Sequence, residues 1–136
     1  MSGSLAHVLD ASALLAYLLR EAGSGHVREA LPRGAAISAV NWAEVLSKLS
    51  DVGQRPEAAA QQLTEQGLLG EAILVFPLDE ALAMEIARLR PLTRSAGLSL
   101  GDRACLALAR RLGLPVLTAD RTWSQLHLGV KMLPIR

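Results

Sequence analysis

Short apolar runs alternate along the chain with longer segments in which apolar residues recur at helical spacing. The apolar runs predicted as β-strands are residues 6–9, 35–37, 73–76, 114–117 and 132–135. The last run contains Pro134, which has no backbone N–H to donate. We therefore expect this strand at an edge of the sheet.

The helical segments fall between these runs. They are residues 12–20, 25–31, 41–49, 56–66, 79–90 and 101–112, with a short turn of helix at 121–125. Gly113 is predicted to end the last long helix. Strands that alternate with helices indicate a parallel sheet covered on both faces. The predicted fold is a three-layer α/β/α domain with a central parallel sheet of about four or five strands.

The length and composition are typical of one globular domain. The chain has 136 residues, of which 51% are hydrophobic and 20% charged, so we expect residues 1–136 to form a single domain. A net charge of +1 argues against a polybasic arm or an acidic tail. Aromatic residues are only 3% of the chain, which disfavours nucleic-acid binding by base stacking. Any nucleic-acid contact is therefore expected to use a local patch.

The sequence also indicates a compartment. Cys105 is the one cysteine and has no partner for an internal disulfide. The first nine residues contain no Lys or Arg, so the basic start of a secretory signal is missing. The longest charge-free run, residues 34–43, is far shorter than the ~18 residues of a membrane span. We expect a cytoplasmic protein with no membrane contact.

Acidic residues follow the predicted strands at one end of the sheet. Asp10 directly follows the first strand, and Glu44 is expected in the first turn of the helix after the second. Asp102 opens a helix, and Asp120 follows the fourth strand. The functional crevice of an open parallel sheet lies beyond the carboxyl ends of its strands. We therefore expect these carboxylates to converge there.

Each acid also has a purely structural explanation as a helix cap. The sequence offers two N-caps and two capping boxes: Asp10, Asp120, Asn41-x-x-Glu44 and Ser99-x-x-Asp102. Capping is the better explanation for any one acid taken alone. Carboxylates gathered in one crevice, however, repel one another and raise each other's pKa unless a cation is present.

A set of carboxylate oxygens suits Mg²⁺ or Mn²⁺, which prefer hard ligands. Such sites serve phosphoryl chemistry, because the ion activates water and stabilises charge on the phosphate. Ser12 and Thr118 lie two residues from Asp10 and Asp120, close enough for their hydroxyls to support the site. For Thr118 the role of an ordinary strand hydroxyl remains open.

The segments around these acids resemble the motifs of PIN-domain ribonucleases. VLDASALLA at 8–16 is similar to the first motif and NWAE at 41–44 to the second. SLGDRACLALA at 99–109 and LTADRTW at 117–123 are similar to the third and fourth. Their order, spacing and total length resemble VapC-type toxins of bacterial toxin–antitoxin pairs.

This resemblance implies a Mg²⁺- or Mn²⁺-dependent endoribonuclease that leaves 3′-hydroxyl and 5′-phosphate ends. Asp10 and Asp102 would be the principal metal ligands. Glu44 and Asp120 would hold the metal's waters or a second ion and help to activate the nucleophile, while Ser12 would steady the site. The resemblance also implies a homodimer silenced by a small antitoxin. An amphipathic antitoxin helix would lie among the early helices, and its Arg or Lys would reach the acidic pocket.

The sequence leaves open the role of four arginines and the choice between a toxin and two alternative functions. Arg90, Arg94, Arg103 and Arg121 lie near the acids in sequence; they are either a solvated basic face or groups that position RNA phosphates. The alternatives to a toxin are a PIN nuclease of RNA processing without an antitoxin and a non-catalytic PIN-fold interaction module. The complete set of acids argues against the non-catalytic alternative.

Overall fold

A parallel sheet of five strands lies at the centre of residues 4–136, the part of the chain that the computed structural model describes. The strands are β1 (His7–Leu9), β2 (Ala35–Ser38), β3 (Ile73–Phe76), β4 (Val116–Thr118) and β5 (Met132–Pro134). Their order is β3-β2-β1-β4-β5, and all neighbouring pairs are parallel. The predicted sheet is confirmed, and β5 is an edge strand.

Six α-helices belong to the same described range. They are α1 (Ala11–Leu18), α2 (Ser24–Ala30), α3 (Ala39–Asp51), α4 (Pro56–Glu65), α5 (Glu80–Thr93) and α6 (Leu100–Leu112). Short 3₁₀ turns occupy Leu31–Arg33, Arg94–Ala96 and Arg121–Gln125. Gly113 ends α6 at φ 67°, a left-handed conformation that glycine adopts without a Cβ clash. No helix within residues 4–136 is long and apolar enough to cross a membrane.

Alternate residues of each strand face opposite helical layers. Val8 of β1 and Val116 of β4 are buried with residues of α5 and α6. Leu9 and Leu117, the next residues along, are buried with residues of α1 to α4. Because successive strand residues point to opposite faces, a core forms on each side of the sheet. The three-layer α/β/α architecture is confirmed.

The strand order reverses between β1 and β4. From β1 the chain proceeds outward through β2 to β3 on one side, whereas β4 and β5 lie on the other. In open parallel sheets, ligands bind at the carboxyl ends of the strands beside such a reversal. Asp10 directly follows β1 and Thr118 ends β4, so both stand at this crevice.

The start of α3 differs from the prediction. Ser38, fully buried at the end of β2, accepts the backbone N–H of Asn41 at 3.0 Å and is the N-cap. The predicted capping box Asn41-x-x-Glu44 is therefore wrong, because Asn41 already lies inside the helix. Glu44 falls in the second turn of α3 rather than the first. The other capping box, Ser99-x-x-Asp102, is confirmed at the start of α6.

Asp79 gives the fold a dependence on pH. Its carboxylate caps α5 by accepting the N–H of Leu82 at 2.7 Å and pairs with Arg111 of α6 at 3.3 Å. The Leu82 N–H, and then Arg111, hold the pKa of Asp79 below its ordinary value of 3.8. A carboxyl group whose pKa is lowered by folding stabilises the fold at pH values above its ordinary pKa. That stability is lost as the pH falls through the lowered pKa of the folded state.

We therefore expect Asp79→Ala to lower the melting temperature at neutral pH and to have little effect once Asp79 is protonated in the folded wild type. Thermal unfolding followed by circular dichroism across acidic and neutral pH measures this difference. An equal loss at every pH would contradict the assignment.

Candidate functional site

Asp10 is the buried acid of the crevice. The residue is 6% exposed and caps α1. Its Oδ1 accepts hydrogen bonds from Ser12 Oγ at 2.7 Å and from the N–H of Ala13 at 2.8 Å. Its Oδ2 accepts one from Thr118 Oγ1 at 2.5 Å. Together these bonds fix the carboxylate at the end of β1.

The pKa of Asp10 shows that its charge is only partly compensated. Burial raises this pKa, and the nearby negative charge of Asp102 raises it further. The hydrogen bonds from Thr118, Ser12 and the Ala13 N–H lower it, but the net shift is upward. A buried carboxylate with a raised pKa is stabilised by a cation placed beside it.

Two hydroxyls connect Asp10 to the loop that carries Asp120. Thr118 Oγ1 accepts the N–H of Asp120 at 2.9 Å, and Ser12 Oγ accepts the N–H of Ala119 at 2.9 Å. Each hydroxyl thus donates to Asp10 and accepts from the segment after β4. The contacts cross the point where the strand order reverses, so they couple the two halves of the crevice.

Asp102 and Glu44 approach from α6 and α3. Asp102 Oδ2 accepts the N–H of Ser99 at 3.0 Å as part of the capping box. Glu44 Oε1 accepts a hydrogen bond from Asn41 Nδ2 at 2.9 Å. The same Asn41 amide donates to the carbonyl of Gly101 at 2.9 Å. Glu44 of α3 is thereby held against the first turn of α6.

The thiol of Cys105 in α6 is affected by the charges of three of these acids. Cys105 is fully buried in α6. Burial raises its pKa well above the ordinary 9.0, and the negative charges of Asp10, Asp102 and Glu44 raise it further. Asp120 joins the group through Thr118. Only the backbone N–H of Asp120 makes this contact, and its carboxylate accepts from Thr122. A metal site formed by all four acids stays a prediction.

The donor set suits a hard cation. Within residues 4–136, one oxygen each of Asp102, Glu44 and Asp120 accepts no hydrogen bond, and Oδ2 of Asp10 accepts only that of Thr118. No described Lys or Arg forms an ion pair with any of these acids.

In the same range no group of three His, Cys, Asp or Glu side chains is arranged to hold a metal ion by itself. Mg²⁺ is bound through one or two carboxylates and keeps several waters. The open oxygens thus fit Mg²⁺ or Mn²⁺ held partly through water.

The four arginines named from the sequence differ in their surroundings. Arg90, Arg94 and Arg121 are exposed and form no ion pair with a described residue. Arg103 is half-buried, and its Nη1 donates to the carbonyl of Ile86 at 3.1 Å, which links α6 to α5. Part of the Arg103 guanidinium is therefore used within the protein. A role in positioning RNA stays a prediction for this set.

The profile of the PIN domain matches residues 7–127, which include every acid of the crevice. The chain belongs to the PIN domain family. The resemblance drawn from its acidic motifs is confirmed at the level of the family. No curated protein sequence gives a significant match.

Solved structures share this PIN fold over nearly its full length. A toxin–antitoxin complex from Klebsiella pneumoniae is 19% identical with a TM-score of 0.73, over 96% of this chain and 98% of the other. FitAcB from Neisseria gonorrhoeae is 20% identical with a TM-score of 0.69, over 95% and 97%.

VapC20 from Mycobacterium tuberculosis, described as a Sarcin-Ricin loop cleaving toxin, is 14% identical with a TM-score of 0.67, over 88% and 93%. At these identities the similarity establishes the fold.

Proposed function

We propose that this PIN domain is a metal-dependent endoribonuclease that hydrolyses RNA phosphodiester bonds as the toxin of a type II toxin–antitoxin system. The observation that carries the proposal is the set of carboxylates without ion pairs at the strand reversal of a PIN fold, where Asp102, Glu44 and Asp120 each keep one oxygen that accepts no hydrogen bond. The structural similarity to a Sarcin-Ricin loop cleaving toxin supports RNA as the substrate. The similarity to a toxin–antitoxin complex supports a protein inhibitor.

In this proposal, each residue of the crevice has a separate role in hydrolysis. A bound Mg²⁺ or Mn²⁺ supplies a Lewis acid for the phosphate and lowers the pKa of a water molecule. Asp10 and Asp102 would hold this ion. Glu44 and Asp120 would hold its waters and help to remove the proton from the attacking water. Ser12 and Thr118 keep the Asp10 carboxylate in one orientation through their hydrogen bonds.

A groove among α1 to α4 supports the proposed antitoxin. The groove has a volume of about 670 Å³ and is lined by residues of all four helices, including Tyr17, Leu18, Leu49 and Leu63. These apolar side chains lie among polar ones, including Arg20 and Arg28, so the groove suits an amphipathic helix that presents both apolar and polar side chains to it. An Arg or Lys of the same antitoxin would enter the acidic crevice, where uncompensated carboxylates attract a cation. We propose, in addition, that the toxin is a homodimer.

The test of the proposed function is cleavage of RNA by the purified chain. We expect cleavage only when Mg²⁺ or Mn²⁺ is added, arrest by a chelator, and recovery when the ion is restored in excess. The products should carry 3′-hydroxyl and 5′-phosphate ends, which end-labelling identifies. Cleavage that continues in the chelator, or products with cyclic phosphate ends, would rule out this mechanism.

A further inference from the structure

Asn41 uses every hydrogen-bonding atom of its side chain between α3 and α6. The residue is 1% exposed. Its Oδ1 accepts from Ser38 Oγ at 2.6 Å, and its Nδ2 donates to Glu44 Oε1 and to the Gly101 carbonyl, both at 2.9 Å. The carboxylate and the carbonyl are acceptors only, so the amide has one workable orientation. If the amide were flipped, its Oδ1 would face the Glu44 carboxylate and the Gly101 carbonyl, and neither could donate a hydrogen bond to it.

Gly101 leaves the space that the Glu44 carboxylate occupies. A Cβ at position 101 would lie 2.6 and 2.7 Å from the two oxygens of Glu44, closer than real Cβ contacts occur. The φ angle of Gly101 is not positive, so the backbone conformation is open to any residue. The close approach of Glu44 is therefore the reason that this position favours glycine.

We propose that Asn41 is a positioning residue that, together with Gly101, holds the Glu44 carboxylate at the start of α6. Glu44 is an exposed residue, and such a side chain is otherwise free to change rotamer. The Asn41 amide fixes one of its oxygens and leaves the other open. Fixing a reacting group before the reaction removes the cost of ordering it in the transition state. The inference rests on the proposed function, because the chemical role of Glu44 belongs to it.

Two substitutions displace Glu44 in different ways. Asn41→Ala removes the hydrogen-bond donor, whereas Gly101→Ala keeps the donor and fills the space of the carboxylate. For both variants we expect kcat for RNA cleavage to fall by about 10- to 100-fold, as for residues that orient a metal site, with little change in KM. Gly101→Ala should keep or raise the melting temperature, because alanine favours the helix. A loss of kcat without a loss of stability separates positioning from a structural role.

Two controls complete the experiment. Thr93→Val removes a buried hydroxyl that donates to the Leu89 carbonyl within α5 at 2.8 Å, and it should lower stability without changing kcat. In a Glu44→Gln background, Asn41→Ala should lower kcat little further, because its partner is already altered. Additive losses would mean that Asn41 does not act through Glu44.

The outcomes distinguish this inference from the proposed function. Full kcat in Asn41→Ala and Gly101→Ala, alongside a reduced kcat in Glu44→Gln, would overturn the role of Asn41 and leave the nuclease intact. If the wild type cleaves no RNA, the proposed function fails. A crystal structure of Asn41→Ala then gives the readout: a Glu44 carboxylate still in place against Gly101 would overturn the inference, and a displaced one would support it.

Discussion

Asp10→Asn is expected to abolish RNA cleavage while the chain stays folded. A neutral amide is a poor ligand for a hard cation, and a metal Lewis acid contributes several kcal/mol to the transition state. At about 1.4 kcal/mol per tenfold, the rate at saturating Mn²⁺ should fall by at least about 100-fold. Asparagine is as good an N-cap as aspartate, so α1 keeps its start. The loss of a buried charge that is only partly compensated also favours the fold of the metal-free protein.

Asp79→Asn is the matched control for this substitution. Asp79 caps α5 with φ −94° and ψ 178°, and Asp10 caps α1 with φ −88° and ψ 177°. Both carboxylates accept the N–H of the residue three positions on, but Asp79 lies outside the crevice. We expect Asp79→Asn to cleave RNA at the wild-type rate. Undiminished cleavage by Asp10→Asn would mean that Asp10 serves only as the N-cap of α1, and it would contradict the proposed mechanism.

Co-expression with the protein encoded by the neighbouring upstream reading frame is expected to give a stable complex with no ribonuclease activity. The inhibitor would block the metal and the RNA path together, because its helix occupies the groove of α1 to α4 while a basic side chain enters the acidic crevice. Size-exclusion chromatography with light scattering measures the complex and the proposed homodimer. The cleavage assay measures the inhibition.

The site of inhibition can be tested on α4. Gln62 lines the groove, whereas Gln61 does not and is exposed on the same helix. We expect Gln62→Trp to weaken the complex and to leave the free toxin active, while Gln61→Trp behaves as the wild type. A neighbour that binds neither form, and leaves cleavage unchanged, would mean that this PIN nuclease acts without that antitoxin.

Much of the fold could be predicted because its signals are local. The apolar run Ile73–Phe76 has the same bounds in the sequence and in the structure. The start of α3 was misplaced because Ser38 and Asn41 are both good N-cap residues. The choice between them depends on the burial of Ser38 at the end of β2, which is a tertiary property.

The candidate site could be predicted only in part, for a similar reason. Asp10, Asp102 and Asp120 follow strands or lie in the first turn of a helix, and both positions can be recognised locally. The contacts that orient them are distant in sequence: Asn41 and Gly101 are 60 residues apart, and Thr118 and Asp10 are 108 apart. The positioning role that we propose for Asn41 could not be predicted, because its partners Glu44 and Gly101 meet only when α3 packs on α6. The glycine at position 101, at the start of a helix, was the one available signal of a close approach.

The proposed double use of the acids, in helix capping and in metal binding, constrains how this chain can evolve. Asp10, Asp102 and Asp120 each accept a backbone N–H or complete a capping box at the start of the following helix or 3₁₀ turn. A lineage without the proposed chemistry would still require hydrogen-bond acceptors at these positions. Substitutions at the N-caps Asp10 and Asp120 would favour Asn, Ser and Thr, and those at Asp102, the third helical residue, would favour Glu and Gln. Glu44 lies in the second turn of α3 and caps nothing. Relaxed selection would therefore remove Glu44 first, and a copy without the proposed activity would keep its other acidic positions polar.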